Sequence, residues 1–248
     1  MNENLQLLKQ QLVSQDRNIR SQAVLELGNL TDPDSLAWLV DMVGVEEDLF
    51  VREDITWALV KFQDVAIDPL IELLKNGMFE QRHHAAHTLG KIGNPRALNA
   101  LLNALDDPEH LVLSKAIFVL SQVGDARAVP ALIKLIGRPE ADLQTTVNFA
   151  LKRFEAESIP YLMELAHHEN DAVREQVVDI LGLIGSAESI PALLDALNDP
   201  SWKVRFAAVT ALSEYQDETL VDNLEPLTHD PEPRVQTLVN LVLNKTSR

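Results

Sequence analysis

At 248 residues, with 46% hydrophobic and 24% charged residues, the chain has enough apolar surface to bury a long core, which excludes a disordered polymer. It contains no cysteine, which excludes disulfides, thiolate metal sites and thiol nucleophiles. The formal charge of −17 argues against the basic footprint on which nucleic-acid binding rests, and it is uneven: residues 1–62 carry 11 acids and 5 bases, 63–154 carry 10 and 10, and 155–248 carry 17 and 6.

In chain order, Met1–Ser14 mixes Glu3, Gln6, Lys9, Gln10 and Gln11 into its leucines. No apolar run anywhere approaches a membrane span, so no membrane insertion and a cytoplasmic location are expected. From there on the chain repeats itself. The segment Ala85-Ala86-His87-Thr88-Leu89-Gly90-Lys91-Ile92-Gly93 has counterparts in Phe118–Gly124, Asp179–Gly185 and Thr210–Tyr215. A position eight residues before the first glycine of that ending falls at Arg20, Arg52, Arg82, Leu113, Gln144, Arg174, Arg205 and Gln236. Such regular spacing is the mark of a stacked repeat. It predicts eight units, at about 1–30, 31–62, 63–93, 94–124, 125–155, 156–185, 186–216 and 217–248.

Each unit reads as two helices. Apolar residues stand at −1, +3 and +7 from the anchor, as in Val173, Val177 and Leu181, which is helical spacing; period two appears nowhere. The first helix of each unit resembles Ala128–Ile136 or Ser189–Leu197, with a proline near its start where the missing N–H is not needed. Asp-Pro at 32–33, 107–108, 199–200 and 230–231 marks the turns.

The turn, the Val-Arg pair, the run of small residues and the Leu-Gly-x-Ile-Gly ending resemble the phycobilisome-lyase type of HEAT-like repeat, over nearly the whole chain. The resemblance implies an all-α fold: an α-solenoid, a right-handed superhelix of about eight helix pairs in a single array, with second helices on its concave face. Bilin lyases and many partner-binding scaffolds share such repeats. It also implies that the arginine column Arg20, Arg52, Arg82, Arg174 and Arg205 is a structural ladder, with Asp16, Asp48, Glu80 and Asp171 as nearby acids. Leu113 and Gln144 break that column inside the electrically neutral middle of the chain.

A helix turns about 100° per residue, so the +5 offset points nearly opposite the buried stripe. This column reads Leu25, Trp57, His87, Phe118, Phe149, Asp179, Thr210 and Leu241, with Lys61, Lys91, Lys115, Lys152 and Arg153 close by. Exposed aromatics flanked by bases suit a protein hot spot or a cradle for an anionic conjugated ligand. The expected binding set is therefore Trp57, Lys61, His83, His87, Lys91, Lys115, Phe118, Phe149 and Arg153. The same aromatics could instead pack between repeats. His83 and His87, one helical turn apart, together with Glu53 form a possible metal site, although second-shell partners are not evident.

Enzyme readings find little support. The His-rich segment Arg82–Gly90 is similar to the repeats of deoxyhypusine hydroxylase, but only His168-Glu169 is a literal His-Glu pair and it falls in a turn. A likeness to alkylpurine DNA glycosylases conflicts with the charge. No nucleophile–base pair or glycine-rich phosphate loop emerges. The reading is a non-catalytic scaffold or assembly factor that binds another protein, with a pigment-carrying protein among the candidates, and no cofactor of its own; the alternative is a bilin lyase or chromophore-handling factor that binds a bilin. Leu238 and Leu241 on the last helix suggest weak self-association.

Overall fold

The computed structural model of the chain describes residues 3–215 and 222–246. The junction of the seventh and eighth repeats, at 216–221, lies outside the described residues. Among the described residues every regular element is an α- or 3-10 helix and there is no strand, as expected of an all-α solenoid. The helices gather into two compact units, Met1–Val123 and Gly124–Arg248, divided at the edge of the fourth repeat.

In the first unit α1 (Glu3–Gln11), α3 (Pro33–Met42), α5 (Ile67–Asn76) and α7 (Leu98–Asn103) are first helices. Their partners are α2 (Arg17–Leu30), α4 (Leu49–Lys61), α6 (Phe79–Ile92) and α8 (His110–Val123). Each first helix packs on its own second helix, and the second helices stack as α2 on α4, α4 on α6 and α6 on α8. In the second unit α9 (Val129–Ile133), α11 (Ile159–Leu165) and α13 (Ile190–Ala196) pair with α10 (Ala141–Arg153), α12 (Asp171–Ile184) and α14 (Trp202–Ser213), and α15 (Pro233–Thr246) follows.

The ends of these helices are set by local chemistry. Asp16, Asp48 and Asn170 accept backbone N–H groups at the starts of α2, α4 and α12, which satisfies donors a helix leaves open. Pro33, Pro130, Pro160 and Pro191 sit in the first turn of their helices. The periodicity did not announce the short 3-10 turns Gln63–Ala66, Pro95–Ala97, Ala126–Ala128, Glu155–Glu157 and Ala187–Ser189 that lead into the first helices. The predicted stripe is the core. Val51, Ile55 and Leu59 of α4, Val112, Ala116 and Leu120 of α8, and Val204, Ala208 and Leu212 of α14 are all buried. Ile19 is exposed, and Gln81 stands in the same place on α6 without an apolar side chain.

The arginine column is a ladder, but not with the acids nearest in sequence. Arg20 forks onto Glu46 at 2.8 and 2.8 Å, Arg82 onto Asp107 at 2.7 and 2.9 Å, Arg174 onto Asp199 at 2.7 and 2.9 Å, and Arg205 onto Asp230 at 2.6 and 2.7 Å. The acid therefore belongs to the turn of the following repeat, 25 or 26 residues on. Asp16 and Asp48 are occupied as helix caps, and Asp171 accepts the Ser201 hydroxyl. A second bond runs to a turn carbonyl. Arg20, Arg174 and Arg205 donate to the carbonyl six residues back, and Gln144 and Gln236 keep that bond without the charge. Donation from Arg20 holds Glu46, and donation from Arg205 holds Asp230, below the usual carboxylate range.

Each unit has, within itself, a buried polar tie of the same form. In the first, the Gly44 N–H donates to His84 Nδ1 at 3.3 Å, and His84 Nε2 meets Thr56 Oγ1 at 3.0 Å. In the second, the Gly137 N–H donates to Gln176 Oε1 at 2.8 Å, and Gln176 Nε2 donates to Asn148 Oδ1 at 2.8 Å. Both glycines have positive φ, 74° and 84°. An added Cβ would come within 2.5 Å of Gln81 Cα in one unit and of Val173 Cγ2 in the other, so nothing larger than glycine fits.

Candidate functional site

The +5 column faces solvent. Trp57 is 48% exposed and Phe118 53%, large values for such side chains, and Leu25, Phe149 and Leu241 are exposed as well. His87 is half-buried. About half of each aromatic side chain in the column is in contact with solvent.

In the first unit the expected residues meet on α4, α6 and α8. Lys91 of α6 holds its Nζ 5.3 Å above the Trp57 ring of α4, and Lys115 of α8 holds its own 5.8 Å above the ring of Phe118, one turn along the same helix. Both geometries fit a cation attracted to the negative face of an aromatic ring. A depression of about 360 Å³ lies beside them, lined by His87, Gly90, Lys91, Lys115, Phe118 and Val119 with Gln122. Gly90 lets α8 close onto α6, since a Cβ there would stand 2.8 Å from Val119 Cγ2. Burial and the neighbouring Lys91 charge push the Lys115 ammonium below its ordinary pKa. Neither lysine makes an ion pair among the described residues.

Lys61 is exposed at the end of α4. Phe149, 57% exposed, stands with Arg153 on α10 of the second unit and is described with that unit alone. Two further exposed side chains were not anticipated: Phe50 stands seven residues before Trp57, and Leu111 seven before Phe118. Seven residues is nearly two helical turns, so each pair shares a face. That interval was the signal in the sequence.

The three histidines of α6 divide. His84 is buried, 7% exposed. Burial and the nearby His87 bring it down to about 4, so it is neutral at pH 7, and the Gly44 N–H pointed at Nδ1 puts its proton on Nε2. His87 Nε2 reaches Glu53 Oε2 at 3.4 Å. Burial and Lys115 lower both His83 and His87. Among the described residues no group of three histidine, aspartate or glutamate side chains is placed to hold a metal ion, so Glu53, His83 and His87 do not converge as a ligand set. His168 and Glu169 form the turn whose carbonyls accept from Arg174. On the last helix Leu241 is exposed and Leu238 half-buried. No described helix is long and apolar enough to cross a membrane.

Comparison with known proteins gives the following. The family model for HEAT repeats matches residues 5–78, 67–152 and 159–244. The phycocyanobilin lyase subunit alpha of Picosynechococcus sp. is 31% identical over 182 residues, 69% of this chain and 61% of that protein. The deoxyhypusine hydroxylase of Danio rerio is 32% identical over 97 residues, 38% of this chain and 32% of that protein. The matches thus span about a third to three fifths of these relatives' lengths. A solved structure of Kap95p binding RanGDP shares the fold at a TM-score of 0.63 with 15% identity, covering 97% of this chain and 40% of that one.

Proposed function

The chain belongs to the HEAT-repeat family, and from that premise we propose that it is a non-catalytic scaffold whose exposed second-helix face binds a protein partner. The observation that carries this reading is the open aromatic and basic surface of α4, α6 and α8, where Trp57 and Phe118 stand half in water with Lys91 and Lys115 over their rings. Hot spots are enriched in such aromatic anchors, and leaving them uncovered without a binding role wastes apolar area that a repeat protein can bury elsewhere. The scaffold reading is tested by isolating the chain with its partner from the native host and mapping amide hydrogen exchange. Protection confined to α4, α6 and α8 is expected; protection on the first helices instead would move the interface.

One observation favours a second reading. Two of the chain's relatives are phycocyanobilin lyase subunits alpha, and the depression beside Phe118, cationic on one side and aromatic on the other, suits an anionic conjugated molecule. Under that reading the chain handles a bilin. Attachment to a cysteine of this chain is excluded by composition. Mixing the purified chain with phycocyanobilin separates the two: a handling factor shifts the visible spectrum, and a scaffold for protein alone does not.

A further inference from the structure

Resting on the docking reading above, we propose that the face of α4, α6 and α8 takes an acidic amphipathic helix of its partner, laid along α6 between two apolar ridges. The ridges are Phe50 with Trp57 on α4 and Leu111 with Phe118 on α8, all four exposed. Between them α6 packs against both neighbours, so the ridges stand two helix spacings apart. At about 8 to 10 Å per step that is roughly 16 to 20 Å from axis to axis. A helix with its side chains is about 10 to 12 Å across, and so fits between side chains that stand up from both walls.

The charge of the face selects the occupant. The chain as a whole is at −17, yet α4, α6 and α8 together carry five lysines and arginines against three acids. Arg82 is engaged by Asp107, and Arg52 donates to a turn carbonyl. Lys91 and Lys115 stand over aromatic rings and make no ion pair among the described residues; burial first, and then the Lys91 charge, lower Lys115, while Glu53, which also meets His87, is the acid that acts on it in the other direction. Two ammoniums at the rim of an apolar trough have one neighbouring carboxylate, Glu53, which is shared with His87, so carboxylates supplied one helical turn apart by a partner pair both. A basic helix would meet the same lysines as repulsion on this face, while the acid surplus elsewhere on the chain turns an acidic partner away from other sites. Leucine, isoleucine or valine on the apolar side of the docked helix would lie against Trp57 and Phe118, the arrangement of a helix seated in a groove.

The test uses the full chain in its native host with a photo-crosslinking benzoylphenylalanine at Phe118, and at Tyr161 of α11 as a control. The crosslinked segment is sequenced, synthesised and titrated against the purified chain. A segment with a surplus of Asp and Glu and apolar residues at i, i+3, i+4 and i+7 is expected. Its affinity should fall at least about tenfold in the Lys91→Gln/Lys115→Gln double variant, and should weaken with added salt as a steered, charge-paired complex does. A captured segment that is neutral or basic, a captured nucleic acid, or a peptide whose affinity the double variant leaves unchanged overturns the acidic-helix proposal while leaving the docking face in place. Capture at Phe118 no greater than at Tyr161 overturns the docking face itself.

Discussion

Protonating His84 would set two donors, the Gly44 N–H and a new Nδ1–H, against each other inside the first unit. The ring is ordinarily at 6.5 and is held near 4 in the fold, so between those values the unfolded chain binds a proton that the native chain refuses. Native stability therefore falls as pH drops from 6.5 to 4, by at most about 3 kcal/mol from this group. The second unit already contains the substitution that removes the effect, because Gln176 makes the same two bonds with an amide. His84→Gln should keep stability near wild type at pH 7 and flatten the urea midpoint between pH 6.5 and 4; an unchanged slope would mean that another group titrates. At the same scale, Arg174→Ala leaves Asp199 half-satisfied between two repeats and should cost roughly 1 to 3 kcal/mol in chemical denaturation. The ladder's arginines were legible from their spacing. Their acids were not, because nearness in sequence favours Asp16 or Asp171, whereas the stacking of repeats delivers the acid of the next turn.

Between helices, stability comes from the stripe each second helix turns to its neighbours. Leu120 is fully buried on α8, and Leu120→Ala should cost about 2 to 5 kcal/mol, read from the denaturation midpoint; a loss below about 1 kcal/mol would mean that α8 is rotated from its assigned face. This stripe was readable residue by residue because helical periodicity and burial obey the same angle. The apolar ridges were half readable. Trp57 and Phe118 came from the +5 column, but Phe50 and Leu111 fall two residues before the anchor, and only the seven-residue interval links them to that column. The histidines of α6 show why one helix position does not fix a role. Only the turn carrying Gly44, forty residues earlier, puts His84 under cover while His87 stays partly open beside Glu53.

At the scale of the whole chain, net charge is a poor guide and its distribution a good one. The neutral middle third announced a different surface, and the structure places its unpaired lysines on α6 and α8 next to exposed aromatics. The central claim is that this surface binds rather than packs, and Trp57→Ala and Phe118→Ala decide it. Measured on the isolated partner, each substitution should weaken binding by about 2 kcal/mol or more while the melting temperature barely moves; changes at Asp195 and Glu188, both exposed in the second unit, should leave binding near wild type. Loss of melting temperature with binding intact would contradict the account and return both aromatics to a structural role.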